Sequence, residues 1–211
     1  MPEPFESRLY IVVSQEACGE RDLVEVTEQA VKGGVDLVQL REKHLNTVDS
    51  ITVAIRLKKM LDNYSVPLII NDNLQVAIDS NAYGIHVGTS DIPPSEVVNQ
   101  WPNCRLLGYS VEYIDQLSNI EIQYADYLGI SPVFSTPTKT DTVTEWGLEG
   151  IQTIRRLTTK PLVAIGNINM NNAYEVIKAG ADCLAVVSAI CGAKNPAKAA
   201  WALRNEIEKA L

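Results

Sequence analysis

The sequence predicts a (β/α)₈ barrel, the TIM-barrel class of α/β fold, as one domain over residues 1–211. Three observations carry that prediction. Short β-branched, apolar runs alternate with longer amphipathic stretches eight times, which is the element count of such a barrel. Runs such as Leu68-Ile-Ile70 and Leu184-Ala-Val-Val187 are apolar throughout, as strands of a parallel sheet covered by helices are. Gly-Val-Asp at 34–36 and Gly-Ala-Asp at 180–182 each stand just before an apolar run, giving the helix-stop, turn and strand-start of a repeated βα unit. An open doubly wound sheet would want a glycine-rich first turn, but the first run leads into Ser14-Gln-Glu-Ala17 with no G-x-G-x-x-G.

Taken in order, strands are expected at 9–13, 37–40, 68–70, 84–87, 105–108, 127–130, 162–165 and 184–187. Helices are expected at 23–32, 48–64, 74–80, 94–101, 111–120, 148–157, 171–179 and 196–211, from apolar residues recurring at helical spacing. Asn171-Asn172 reads as an N-cap pair, and Gly33-Gly34 and Gly180 sit where helix C-terminal caps belong.

Hydrophobic residues make up 46 % of the chain, enough for a sizeable core, and its net charge is −8. That charge argues against nucleic acid and against anionic membrane surfaces as partners. Positive partners for a phosphate would have to be gathered locally. No run approaches the ~18 apolar residues of a membrane span, and the opening Met1-Pro-Glu-Pro-Phe-Glu-Ser7 is polar and acidic, unlike a secretory signal. Cys18, Cys104, Cys183 and Cys191 form no C-x-x-C pair, so reduced thiols in a cytoplasmic protein are expected. Neither His44 nor His86 has a cysteine or histidine at ligand spacing, which argues against zinc.

In such a barrel the active site gathers at the carboxyl ends of the strands. After the second run, Gln39, Arg41 and Lys43 alternate, and period-two spacing projects all three the same way. The guanidinium fork and the ammonium favour an anion, although a rim ion pair of Arg41 with Glu42 or Asp36 is an equal alternative. After the third run come Asn71 and Asp72, and after the fourth, Asp91. Asp72 reads either as a helix N-cap or as one of two carboxylates on neighbouring strands sharing a Mg²⁺ ion. His86 falls within a strand, where packing is its expected role. The fifth run ends in Gly108-Tyr-Ser110.

The sixth run opens into Ser131-Pro-Val-Phe-Ser-Thr136-Pro-Thr138-Lys139, where hydroxyls surround one cation on a proline-stiffened loop, a seat for a phosphoryl group. After the last two runs, Gly166 permits close backbone approach, and Val187-Ser188 adds a hydroxyl. Those two loops are the recurrent phosphate seat of this fold.

In this order, Gln39-Leu-Arg-Glu-Lys43, Asn71-Asp72, Gly84-Ile-His-Val-Gly88 with Asp91, Gly108-Tyr-Ser110, Ala125 to Phe134, Thr136-Pro-Thr-Lys139, Ala164-Ile-Gly166 and Gly180-Ala-Asp182 through Ile190 resemble the thiamine-phosphate synthase family. The resemblance covers essentially the whole chain. It implies a (β/α)₈ barrel that joins hydroxymethylpyrimidine diphosphate to a thiazole phosphate, releasing pyrophosphate with Mg²⁺. It further implies that Gln39 contacts the pyrimidine, and that Arg41, Lys43, Asn71, Ser110 and Lys139 hold the diphosphate. Asp72 and Asp91 would bind Mg²⁺, Thr136 and Thr138 would line the thiazole side, and backbone near Gly166, Val187 and Ser188 would hold the thiazole phosphate. The partners it implies are these two small molecules; a homodimer is left open.

The chain departs from the family pattern at Thr89-Ser90, at Tyr109 to Glu112, and at Asn167, which replaces a second glycine. Asparagine tolerates positive φ and keeps its N–H. Two other readings stay open: a thiazole tautomerase sharing the barrel, and a non-catalytic paralogue that binds a thiamine precursor.

Overall fold

The computed structural model describes residues 5–135 and 144–211. Eight strands, all parallel, close into a barrel in sequence order: β1 (Leu9–Val13), β2 (Leu37–Leu40), β3 (Leu68–Asn71), β4 (Gly84–Val87), β5 (Leu106–Val111), β6 (Tyr127–Ile130), β7 (Leu162–Ile165) and β8 (Cys183–Val186). Around them run α1 (Gln15–Cys18), α2 (Leu23–Lys32), α3 (Thr47–Asp62), α4 (Leu74–Asp79), α5 (Pro94–Gln100), α6 (Gly147–Leu157), α7 (Ala173–Lys178), α8 (Ser188–Cys191) and α9 (Pro196–Ala210). The predicted barrel is thus the observed one. No helix among the described residues is long and apolar enough to cross a membrane.

Strand alternation sorts each run between two cores. Leu9, Ile11 and Val13 face the helices, whereas Tyr10 and Val12 belong to an inner cluster with Leu37, Ile69, Tyr127, Val163, Cys183 and Ala185. Side chains at every second position point the same way, so an apolar strand serves the helix-facing layer and the barrel interior at once. On the helix-facing side, residues such as Leu57 and Ile154 are fully buried, each stabilising by roughly 1.5–3 kcal/mol relative to exposure.

The Gly-x-Asp turns also fasten the barrel floor. Gly34 and Gly180 take φ of +106° and +115°, which glycine adopts without steric cost. The Asp36 carboxylate then accepts from the Arg8 and Leu9 N–H groups at 3.0 Å, and Asp182 accepts from Leu162 N–H at 2.8 Å. Asp126 does the same for Leu107 at 2.7 Å. In each case an aspartate just before one strand caps the start of the preceding one.

Two expectations are corrected, and two short helices were not predicted. Residues 111–120 form no α-helix: β5 continues to Val111, and two 3₁₀ turns follow at Ile114–Ser118 and Ile120–Tyr124. Gln116 Oε1 takes the N–H groups of Glu112 and Tyr113, and Asn119 takes that of Glu121; such local side-chain acceptors compete with helical backbone bonds. Asn172 holds the N-cap position of α7, but its side chain makes no cap bond and accepts instead from Asn169 N–H at 2.8 Å. The short helices α1 and α8, each four residues long, carry too few residues for a periodic signal.

Candidate active site

A cavity of about 460 Å³ opens at the carboxyl ends of the strands, a size that suits a small-molecule ligand. Gln39, Arg41, Lys43, Asn71, Asp72, Asp91, Ser110, Gly166, Val187 and Ser188 all line it. Residues scattered over most of the chain are therefore brought to one mouth. Thr136, Thr138 and Lys139 lie outside the described residues.

β2 ends at Leu40, so only Gln39 projects from the strand itself, and Arg41 and Lys43 follow in the loop. Arg41 is anchored by its N–H, which donates to Val13 O at 2.9 Å. The rim ion pair weighed for Arg41 finds both acids engaged elsewhere: Asp36 binds the β1 backbone and Arg204, and Glu42 Oε1 accepts from Gln15 N–H at 2.6 Å. Both cations face the cavity.

Asp72 is not the cap of α4. Asn73 takes that place, accepting from Val76 N–H at 3.1 Å. Asp72 itself adopts φ of +60°, an uncommon region for a residue with a side chain, and its N–H donates to His86 O at 2.9 Å. Its carboxylate accepts from Asn71 Nδ2 at 2.5 Å. Across β3 and β4, Asp91 Oδ2 is fixed by Gly88 N–H at 2.7 Å. Burial, then the nearby Asp91 charge and a hydrogen bond to it, push the Asp72 carboxyl up to about 7, against the pull of Asn71 and Arg41.

Two carboxylates pressed together in a half-buried rim suit a hard divalent cation, which would offset their repulsion. Among the described residues no group of three or more His, Cys, Asp or Glu gathers for a metal. Mg²⁺ commonly takes one or two protein carboxylates and fills its shell with phosphate and water.

At the opposite side, Gly166 has φ of +119°, and a Cβ there would lie 2.6 Å from Pro132 Cβ and 2.8 Å from Val133 N. Only glycine fits. Asn167 adopts φ of +50°, and its carbonyl accepts from Asn169 Nδ2 and Asn172 Nδ2 at 3.2 and 3.0 Å. Asn167 thus takes a positive φ with a side chain in place.

Sequence reasoning missed several lining residues. Tyr10 and Tyr127 reach the cavity from the barrel interior; their one signal was a phenol among aliphatics at an inward position. Glu112 accepts from the Thr89 hydroxyl at 3.2 Å on the rim. His86, expected to pack, lines the cavity with its ring nitrogens 3.1 Å from Tyr127 Oη and 2.9 Å from Ser110 Oγ.

The chain matches the thiamine monophosphate synthase family over residues 9–190. It is 49 % identical over 201 residues to a thiamine-phosphate synthase of Albidiferax ferrireducens, covering 95 % of this chain and 92 % of that one. It is 43 % identical over 202 residues to one of Leptospira biflexa, covering 94 % and 96 %. Among solved structures, thiamine phosphate pyrophosphorylase from Pyrococcus furiosus superposes with a TM-score of 0.89 at 33 % identity, covering 98 % of each chain. A 3-hexulose-6-phosphate synthase, at 16 % identity and a TM-score of 0.71 over 94 % of this chain and 99 % of that one, shares the fold. By the span of the match and the level of identity, the chain belongs to the thiamine monophosphate synthase family of enzymes.

Proposed function

We propose that this enzyme joins hydroxymethylpyrimidine diphosphate to a thiazole phosphate and releases pyrophosphate, forming thiamine phosphate. One observation carries the reading: Arg41, Lys43, Asp72, Asp91 and Ser110 line one cavity in a molecule whose net charge is −8. Arg41 and Lys43 stand there beside carboxylates that a divalent cation would offset, which suits departure of a diphosphate.

The chemistry follows from that arrangement. An amino-substituted pyrimidine delocalises positive charge as its C–O bond to the diphosphate breaks. Arg41 and Lys43, with Lys139 from the sixth loop, stabilise the charge that develops on the leaving group. Mg²⁺, held by Asp72 and Asp91, would supply Lewis-acid neutralisation of the same oxygens. Asn71 and Ser110 orient the diphosphate, and Gln39 orients the ring. Backbone at Gly166, Val187 and Ser188 seats the thiazole phosphate, with Thr136 and Thr138 on the thiazole side, so that the ring nitrogen meets the carbon face; that is catalysis by positioning. The nitrogen carries no proton, so no general base is called for.

The four cysteines are free, which suits a reducing cytoplasm as the place of reaction. Complementation tests the reading: the gene is expected to restore growth without thiamine to a strain lacking its synthase. Failure with normal expression would favour the precursor-binding paralogue or the tautomerase.

A further inference from the structure

Five polar side chains cross the barrel interior in one continuous chain of hydrogen bonds. Gln39 Nε2 donates to Tyr10 Oη at 2.7 Å. Tyr10 Oη and Tyr127 Oη are 3.1 Å apart. Tyr127 Oη lies 3.1 Å from His86 Nδ1, and His86 Nε2 lies 2.9 Å from Ser110 Oγ. All five residues line the cavity.

With the Gln39 amide nitrogen set on Tyr10 Oη, proton counting gives the chain a direction. Burial holds the Tyr10 and Tyr127 phenols above their usual range, so each keeps its single O–H proton. Tyr10 accepts from Gln39 and must therefore donate to Tyr127. Tyr127, having accepted, donates to His86 Nδ1. A neutral imidazole with Nδ1 as acceptor carries its proton on Nε2, and that N–H donates to Ser110 Oγ. The Ser110 hydrogen is left to turn into the cavity. Rotating the Gln39 amide would reverse every bond and engage the Ser110 hydrogen with His86.

The surrounding strands make room for this path. A Cβ at Gly108 would collide with Tyr127 and with His86 Nδ1, and one at Gly129 would lie 2.8 Å from His86 Cε1. The His86 and Tyr127 rings stack at 5.5 Å between centroids. Glycines on β5 and β6 thus clear the inner space that the histidine ring fills.

We infer that Tyr10, Tyr127 and His86 are positioning residues, a directional relay that presets Gln39 as an acceptor and Ser110 as a donor across the barrel. What the two ends hold rests on the proposed function: an acceptor at Gln39 suits a ring amino group, and a hydroxyl donor at Ser110 suits diphosphate oxygen. The relay itself is a property of the ligand-free protein.

The test is long-range ¹⁵N–¹H correlation NMR on histidine-labelled, ligand-free protein at about pH 8, where an ordinary imidazole is neutral. His44 and His86 are its two histidines, and the His44 side chain is 83 % exposed, which separates the signals. The expected result is a single His86 tautomer protonated on Nε2. A proton on Nδ1, or a mixture of tautomers, would overturn the relay.

A kinetic comparison reads the same device. Glutamine in place of His86 keeps an N–H donor near the Nε2 position, whereas asparagine does not. His86→Gln is expected to retain at least about tenfold more kcat than His86→Asn; equal losses would overturn the positioning role. Should either variant fail to fold, the wild-type tautomer decides. A tautomer mixture in an active synthase sinks the relay alone, while an inactive protein with the Nε2 tautomer sinks the function and supports the relay.

Discussion

Asp72 and Asp91 meet across the ends of β3 and β4, and the meeting alters the chemistry of one of them. Burial first, and then the Asp91 charge and hydrogen bond, raise the Asp72 carboxyl from 3.8 to about 7. Asp72 reaches that place because Asn73, one residue later, takes over the helix cap, leaving Asp72 free to turn into the left-handed region at φ of +60°.

Stability is expected to depend on pH through this pair. Between pH 3.8 and about 7 the native state holds a proton that the unfolded chain has released, so stability falls as pH rises through that window. Chemical unfolding in EDTA should show the fall, Asp72→Asn should reduce it, and Mg²⁺ should restore stability above pH 7 by binding the native pair. A slope unchanged in Asp72→Asn would contradict the assignment.

Gly108 is expected to accept no side chain. Gly108→Ala drives a methyl into Tyr127 and His86, an overpacking that typically costs 1–3 kcal/mol, roughly that range here. Urea unfolding measures it, and an alanine variant as stable as wild type would show that the inner space is looser than described.

Asn167 stands in the left-handed region at φ of +50°. Asn167→Gly should stay within about 0.5 kcal/mol of wild type. Asn167→Val should lose about 1–2 kcal/mol, because a β-branched residue is strained there. Equal stabilities for the two variants would mean that the turn relaxes away from positive φ.

The barrel was legible in the sequence because strand periodicity and the Gly-x-Asp turns are local signals, and most strand bounds were read to within a residue. Of the candidate site, Arg41, Lys43, Asp72, Asp91 and Ser110 could be named from their places at strand ends, and the structure sets all five on one cavity. The relay was not. Tyr10 and Tyr127 are 117 residues apart, and a phenol in an apolar strand reads as core until closure of the barrel sets it against its partner. The segment after β5 was misread because Gln116 and Asn119 bind their own backbone, a competition that apolar spacing does not report.

Asp91→Ala and Lys139→Ala are each expected to lower turnover by ~10²-fold or more, the first by loss of a metal ligand and the second by loss of a cation aimed at the leaving group, with circular dichroism unchanged. Near-normal rates in both variants would remove the leaving-group mechanism.

The most direct measurement is product formation by the purified enzyme from hydroxymethylpyrimidine diphosphate and thiazole phosphate, followed with Mg²⁺ and again in excess EDTA. Thiamine phosphate and pyrophosphate should appear in equal amounts with Mg²⁺, stop with EDTA, and resume when Mg²⁺ is returned. Binding of both substrates with no product in Mg²⁺, or turnover indifferent to EDTA, would contradict the account.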